Sequence, residues 1–195
     1  MIEQVQRARE DADVIVLWGD SAQVSLLPTI TRCWTRIGQQ RIIPTPGVRA
    51  DKCWDWGAVD VVTGHTVALL HPRRNNVGLR RLLAAIARPY ALAQHPQRQV
   101  ILWLDNDKAH KARAVDRLLS THHYQIRIEW LPPYSPELNP QEDLWQHLRR
   151  RVTHNHYFQQ MTTLKQAVSD FHQELQHAPE LVLRLISKWS HLIAT

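Results

Sequence analysis

The sequence predicts an α/β fold in which a mixed β-sheet is flanked by helices. Residues 14–18 and 100–104 are short runs of consecutive apolar residues, a pattern typical of strands buried on both faces. Residues 56–62 and 65–70 flank Thr63-Gly64, which favours a hairpin turn. The last third of the chain has the three-to-four-residue apolar period of helices. Hairpins join antiparallel strands and strand–helix–strand units join parallel ones, so together these patterns predict a mixed sheet.

The same patterns predict the other elements in chain order. Weaker strand signals lie at residues 23–27 and 41–43, and a stronger one at residues 126–131. Helices are predicted over about 79–86 and 111–119. After a proline-rich loop we expect three helical stretches. Their apolar faces contain Trp145, Leu148 and Val152, then Leu164, Val168, Phe171 and Leu175, then Val182, Leu185, Ile186, Trp189 and Ile193. Four tryptophans are predicted to pack in the core: Trp18, Trp103, Trp130 and Trp145.

Composition narrows the possible classes of protein. A chain of 195 residues suits a single domain with its own core. Its 24 Lys and Arg against 18 Asp and Glu give a net charge of +6, which weakly favours a polyanionic partner. No apolar run reaches the roughly 18 residues of a membrane span, and residues 1–13 lack a signal segment, so we expect a cytoplasmic protein without a membrane partner. Cys33 and Cys53 form no CxxC pair, and the 12 histidines match no zinc pattern.

Two aspartates each follow a buried apolar strand. Asp20 comes after the first strand and Asp105 after the strand at 100–104. If these strands are parallel neighbours, both carboxylates emerge at the sheet edge where α/β proteins bind ligands. Asp is also common where a turn begins, so a purely structural role stays open for both residues.

A third carboxylate, Glu142, follows the proline-rich segment. Asn139 is expected to cap the next helix, with Pro140 as its first residue and Glu142 as its third. Asn-x-x-Glu resembles a capping box, in which the glutamate side chain binds the N–H of the cap residue. The alternative for Glu142 is a metal-binding role. Carboxylates that converge at one edge suit magnesium, and a pair of such ions serves phosphoryl transfer. A Gly-rich phosphate loop and a GxSxG elbow are both absent from the sequence.

Two segments together resemble a known family. Residues 105–110 read Asp-Asn-Asp-Lys-Ala-His, and residues 131–145 read Leu-Pro-Pro-Tyr-Ser-Pro-Glu-Leu-Asn-Pro-Gln-Glu-Asp-Leu-Trp. They resemble the DDE endonuclease domain of bacterial insertion-sequence transposases, in the branch related to mariner. The separation of 37 positions between Asp105 and Glu142 is similar to the family's spacing. Weaker matches extend the resemblance over most of the chain: Asp20, Trp34 with Gly38, and Gly57 with Thr63-Gly64.

The resemblance implies a ribonuclease-H-like fold and a catalytic triad of Asp20, Asp105 and Glu142 that binds magnesium or manganese, with two ions. The implied activity is hydrolytic nicking at transposon ends, followed by attack of a 3′-hydroxyl on target DNA. The implied partners are transposon-end DNA and target DNA, with the chain as a homodimer when it is assembled on them. The family usually has Asp-Glu at the first position, whereas this chain has Asp20-Ser21.

Further residues are expected to support this chemistry. By the resemblance, Asn106 orients Asp105, and His110 lies near a substrate phosphate or simply in the first turn of the following helix. Three arginines continue the helix of Glu142, where they suit DNA-backbone contact or form a solvated helix face: Arg149, Arg150 and Arg151.

The first strand begins at about residue 14, so we expect the helix-turn-helix modules of full-length family members to be absent from this chain. We therefore expect one catalytic domain over 1–195, with a ribonuclease-H-like core at about 13–155 and C-terminal helices at about 160–194. A separate helix-turn-helix polypeptide is a candidate partner. Two alternatives remain: an inactive DNA-binding or assembly remnant, which the retained carboxylates disfavour, and a ribonuclease-H-fold nuclease, which the proline-rich motif disfavours.

Overall fold

The computed structural model describes residues 1–45, 51–106, 115, 119 and 125–189. Within these residues one mixed sheet contains β1 (Val14–Ser25), β2 (Lys52–Asp60), β3 (Thr66–His71), β4 (Gln99–Leu104) and β5 (Ile126–Trp130). The strand order is β3-β2-β1-β4-β5. β1 pairs antiparallel with β2 and parallel with β4, β2 pairs antiparallel with β3, and β4 pairs parallel with β5. The predicted mixed sheet is therefore confirmed.

β1 changes its pairing along its length. Its first part pairs with β4 as far as Trp18, whereas the part from Leu17 to Ser25 pairs with β2. The prediction of a separate strand at 23–27 was wrong, because the backbone groups of Asp20 and its neighbours are satisfied by β2 and the strand continues through them. Asp20 thus lies inside β1, just past the end of its parallel pairing with β4.

Helices cover both faces of the sheet. The predicted helix at 79–86 is confirmed as α2 (Asn76–Ala87). The three C-terminal helical stretches are confirmed as far as residue 189. Ile193 and most of the predicted helix at 111–119 lie outside the described residues. The N-terminal helix was not predicted because Val5 is its one buried residue. Residues 41–43 form no strand and are mostly exposed, so that prediction was wrong. The helices are α1 (Ile2–Glu10), α2 (Asn76–Ala87), α3 (Gln141–Leu148) with a π-helical turn (Arg149–Thr153), α4 (Met161–His177) and α5 (Pro179–Leu185), with 3-10 turns at Pro136–Leu138 and Ser187–Trp189.

The sheet separates two apolar layers. One layer packs α1, α3, α4 and α5 against the face that carries Trp18, and the other packs α2 against the face that carries Leu17. Alternation along β1 therefore directs Asp20 toward α3 and Ser21 toward α2. Among the helices of the described residues, none is long and apolar enough to cross a membrane.

Candidate active site

A cavity of about 430 Å³ opens at the carboxyl end of β4. The three carboxylates identified from the sequence, Asp20, Asp105 and Glu142, all line it. The remaining wall comes from Asn106, Asn139 and the proline-rich loop at 131–136. A larger cavity of about 600 Å³ lies between α1 and the amino ends of β4 and β5, and it contains none of these three carboxylates. Chemistry rather than size therefore identifies the candidate site.

Asp20 is the buried member of the three, with 8% of its surface exposed. The pKa of its carboxyl group is raised to about 6, mainly by burial and in smaller part by the negative charges of Glu142 and Asp105. Hydrogen bonds from the Ser21 backbone and the Trp145 indole act in the opposite direction. The Trp145 Nε1–H donates to Oδ2 of Asp20 over 2.9 Å. The site therefore holds one carboxylate in a fixed orientation, at an electrostatic cost.

A glycine lets Trp145 reach Asp20. Gly57 on β2 is the antiparallel partner of Asp20. A Cβ atom at this position would lie 2.8 Å from the Trp145 ring and 2.7 Å from the amide nitrogen of Gln141. A side chain at this position would force the Gln141 amide and the Trp145 ring, which binds Asp20, to shift.

The other two carboxylates face solvent and each lies near an arginine. Asp105 Oδ2 is 3.7 Å from Arg74 Nη2, and Glu142 Oε2 is 3.7 Å from Arg149 Nη2. Their side chains are 41% and 37% exposed, respectively. Across the described part of the chain, no three His, Cys, Asp or Glu side chains are gathered closely enough to hold a metal ion as they stand. The predicted ligands thus share one cavity without being at ligand distances.

Asn139 hydrogen-bonds to the start of the helix of Glu142, which begins at Gln141 with Pro140 at the cap position, one residue later than predicted. Its backbone is extended, whereas Pro140 already has helical angles, and its Oδ1 accepts from the Gln141 N–H over 3.2 Å. The Asn139 N–H donates to the carbonyl of Pro136, so the capping-box bond to Glu142 is not formed. The Asn139 amide also donates to the Gly19 carbonyl over 3.4 Å, which ties the start of α3 to β1.

Asn106 lines the cavity beside Asp105, where it was expected. Its amide donates a hydrogen bond to the carbonyl of Leu131. This bond ties the end of β4 to the loop after β5 and so holds the backbone next to Asp105. His110, by contrast, lies outside the described residues.

The three arginines after α3 do not share one environment. Arg149 and Arg150 line a cavity of about 570 Å³ together with Arg32 and His154. Arg151 instead pairs with Glu174 on α4 over 3.1 Å. Arg149 and Arg150 therefore form a basic surface next to the carboxylate cavity. Arg151 instead links the π-helical turn to α4 through its ion pair.

Sequence reasoning missed several neighbours of the site. Trp145 was expected only in the core, yet it also binds Asp20. Arg32 is distant in sequence from Arg150, and His154, which follows Arg150 closely, carries no motif. Arg74 could have been found, because β3 runs parallel to β1 and Arg74 follows its carboxyl end at the same sheet edge.

Comparison with known proteins agrees with this architecture. Residues 15–165 match the family described as DDE superfamily endonuclease. The chain is 29% identical over 164 residues to the insertion element IS630 uncharacterized 39 kDa protein of Shigella sonnei, covering 84% of this chain and 46% of that protein. It is 25% identical over 142 residues to the transposable element Tc1 transposase of Caenorhabditis elegans, covering 70% and 51%. The chain thus spans about half the length of these relatives.

A solved structure shows the same fold. The mariner Mos1 paired end complex with Mg has a TM-score of 0.62 and 19% identity, covering 96% of this chain and 58% of that one. The sheet order and the flanking helices are those of the ribonuclease-H-like fold that the resemblance implied. With most of its length matched, the chain belongs to the DDE superfamily endonuclease family.

Proposed function

We propose that this chain is the catalytic domain of a DNA transposase, which nicks transposon ends and joins their 3′-hydroxyl ends to target DNA. The observation that carries the proposal is the convergence of Asp20, Asp105 and Glu142 on one cavity at the carboxyl edge of the sheet. Family membership and the relatives' names support it. The proposed unit is one domain, with the core at about 13–155 and the C-terminal helices at about 160–194.

The three carboxylates are the proposed ligands of two magnesium or manganese ions. Their donor set consists of oxygen atoms alone, which suits a hard divalent cation. The raised pKa of Asp20 also fits, because a nearby cation would offset the cost of burying its charge and the repulsion from the other two carboxylates. When bound, a pair of such ions activates the attacking oxygen and stabilises the leaving oxygen.

The chain's own residues orient the proposed metal ligands and leave the cavity open to DNA. The Trp145 indole holds Asp20 in one orientation, while Asp105 and Glu142 remain partly exposed at the cavity, where the DNA is proposed to lie. In the nicking step the oxygen of a water bonds to phosphorus and the bond to the 3′-oxygen breaks. One proton of the water ends on that oxygen, which leaves a 3′-hydroxyl and a 5′-phosphate. In the joining step this 3′-hydroxyl oxygen bonds to a target phosphorus and displaces a target 3′-oxygen, which takes up the proton.

Replacing Asp105 by Asn should remove metal-dependent nicking, because an amide binds a hard dication poorly. The expected loss is at least about 100-fold in the rate at which supercoiled plasmid becomes nicked in Mg²⁺ or Mn²⁺. Asp170→Asn, on the outer side of α4, is the matched control and should cleave normally. Equal nicking by Asp105→Asn and the wild type would overturn the triad. A second assay measures the joining of precut 3′-hydroxyl ends to another duplex, which a transposase performs and a simple nuclease does not.

Arg150 is proposed to contact the DNA backbone. Because each phosphate contact releases a counterion, Arg150→Ala should reduce the slope of log affinity against log salt by about one. Fluorescence anisotropy with a labelled duplex measures the slope. Arg127→Ala removes the same charge near the amino end of β5, far from the carboxyl edge, and should leave the slope unchanged. An identical slope for Arg150→Ala and wild type would contradict the assignment.

The proposal extends to partners. Assembly of two copies on DNA and recognition of transposon ends by a separate helix-turn-helix polypeptide both stay predictions from the resemblance.

A further inference from the structure

Arg74 is held beside the candidate site by contacts that include Asp105, Ser21 and Trp54. Its Nη2 lies 3.7 Å from Oδ2 of Asp105, and its Nε donates to the hydroxyl of Ser21 over 3.2 Å. Its guanidinium carbon lies 5.3 Å from the centre of the Trp54 ring. The side chain is 31% exposed. The Arg74 guanidinium therefore contacts Asp105, which is one proposed metal ligand, and Ser21, which directly follows the proposed ligand Asp20.

The turn that carries Arg74 is fixed on both sides. Before it, the ring Nδ1 of His71 lies 2.8 Å from the carbonyl oxygen of Arg73 and 3.2 Å from its backbone nitrogen. After it, the side chain of Asn75 accepts from the N–H groups of Val77 and Gly78 and caps α2. With its backbone and its ring stacking both defined, the guanidinium loses little further freedom when it binds a ligand.

The ion pair with Asp105 does not by itself account for this placement. An ion pair at 3.7 Å between two side chains that both face solvent contributes little to stability. A guanidinium, however, matches the paired oxygens of a phosphate, and it does so at the sheet edge where DNA is proposed to lie.

We infer that Arg74 exchanges partners: it pairs with Asp105 in the apoprotein and turns to a phosphate oxygen of bound DNA once metal takes Asp105. This inference rests on the proposed function. In the absence of DNA, Arg74 thereby competes with metal for Asp105. In the presence of metal, Arg74 is released from Asp105 and strengthens the binding of DNA. Metal and DNA then strengthen each other's binding, because coupling between two ligands is reciprocal.

Arg74→Gln should change two binding measurements in opposite directions. Affinity for Mn²⁺ without DNA, followed by electron paramagnetic resonance of the free ion, should rise about three- to tenfold, since a competing charge is removed. Affinity for a duplex in the presence of Mg²⁺ should fall, with a salt slope lower by about one. Arg74→Lys keeps the charge, so it should restore wild-type Mn²⁺ affinity and the salt slope while nicking more slowly than wild type. Arg73→Gln removes the same charge from the exposed neighbouring residue and should change neither measurement.

The outcomes separate this inference from the proposed function. If wild type binds no Mn²⁺, or binds it equally well after Asp105→Asn, the metal site and this inference both fail. If wild type binds Mn²⁺ and nicks plasmid while Arg74→Gln binds Mn²⁺ more weakly with an unchanged salt slope, Arg74 merely positions Asp105 and the inference alone is overturned.

Discussion

Replacing Asp20 by Asn is expected to abolish cleavage while making the protein more stable. At pH 7.5 the buried carboxylate is charged, and the shift of its pKa from 3.8 to about 6 corresponds to a cost of about 3 kcal/mol to the apoprotein. Asn keeps an acceptor for the Trp145 indole but carries no charge. We therefore expect urea denaturation in EDTA at pH 7.5 to show a gain of roughly 2–3 kcal/mol in the free energy of unfolding.

The same substitution should change how stability depends on pH. The folded state holds its Asp20 proton more tightly than the unfolded chain, so this residue's favourable contribution is complete below pH 3.8 and is lost as pH rises through about 6. The stability difference between Asp20→Asn and wild type should therefore be large at pH 7.5 and small near pH 4. Asp105→Asn, at an exposed position, is the control and should show a much smaller difference. Equal stabilities of Asp20→Asn and wild type at pH 7.5 would show that burial of this charge is not costly.

Glu142→Gln and Asn139→Ala should separate catalysis from helix capping. Glu142 makes no capping bond and is partly exposed, so Glu142→Gln should change stability by less than about 0.5 kcal/mol. It should nevertheless lose nearly all metal-dependent nicking, because a hard dication needs the carboxylate. Asn139→Ala removes the bonds to the Gln141 N–H and the Gly19 carbonyl and should cost about 1 kcal/mol.

Urea denaturation and plasmid nicking on the same preparations measure both effects. Asn139→Ala should retain measurable nicking, which makes it the reciprocal control for Glu142→Gln. Wild-type nicking by Glu142→Gln would remove Glu142 from the proposed site and leave it without an assigned role.

The sequence predicted the elements that follow from local pattern. The apolar runs at 14–18 and 100–104 predicted β1 and β4, and the proline-rich segment predicted where the helix of Glu142 begins. The full length of β1 could not be predicted, because Asp20 and Ser21 are polar and remain in the strand only through pairing with β2, which is distant in sequence. Register between strands is a tertiary property, and a local pattern does not contain it.

Contacts between side chains were the least predictable part of the site. Trp145 fits an apolar helix face equally well whether or not its indole binds Asp20. Arg149 to Arg151 form one run in sequence, yet the π-helical turn directs Arg151 to Glu174 instead of toward the basic cavity. A charge run defines composition along a helix, whereas the partners of each residue depend on which helices pack beside it.

The change of pairing along β1 has a consequence for how the chain folds. The hairpin of β2 and β3 forms from neighbouring residues, whereas β4 and α3 must find β1 across long stretches of chain. Because contacts between distant residues form slowly, we expect the antiparallel half to assemble first and the parallel half to dock onto it. Asp20 belongs to the first half, while Asp105 and Glu142 arrive with the second. A nascent or partly unfolded chain therefore has an incomplete set of carboxylates, and the proposed metal site exists only in molecules that have finished folding.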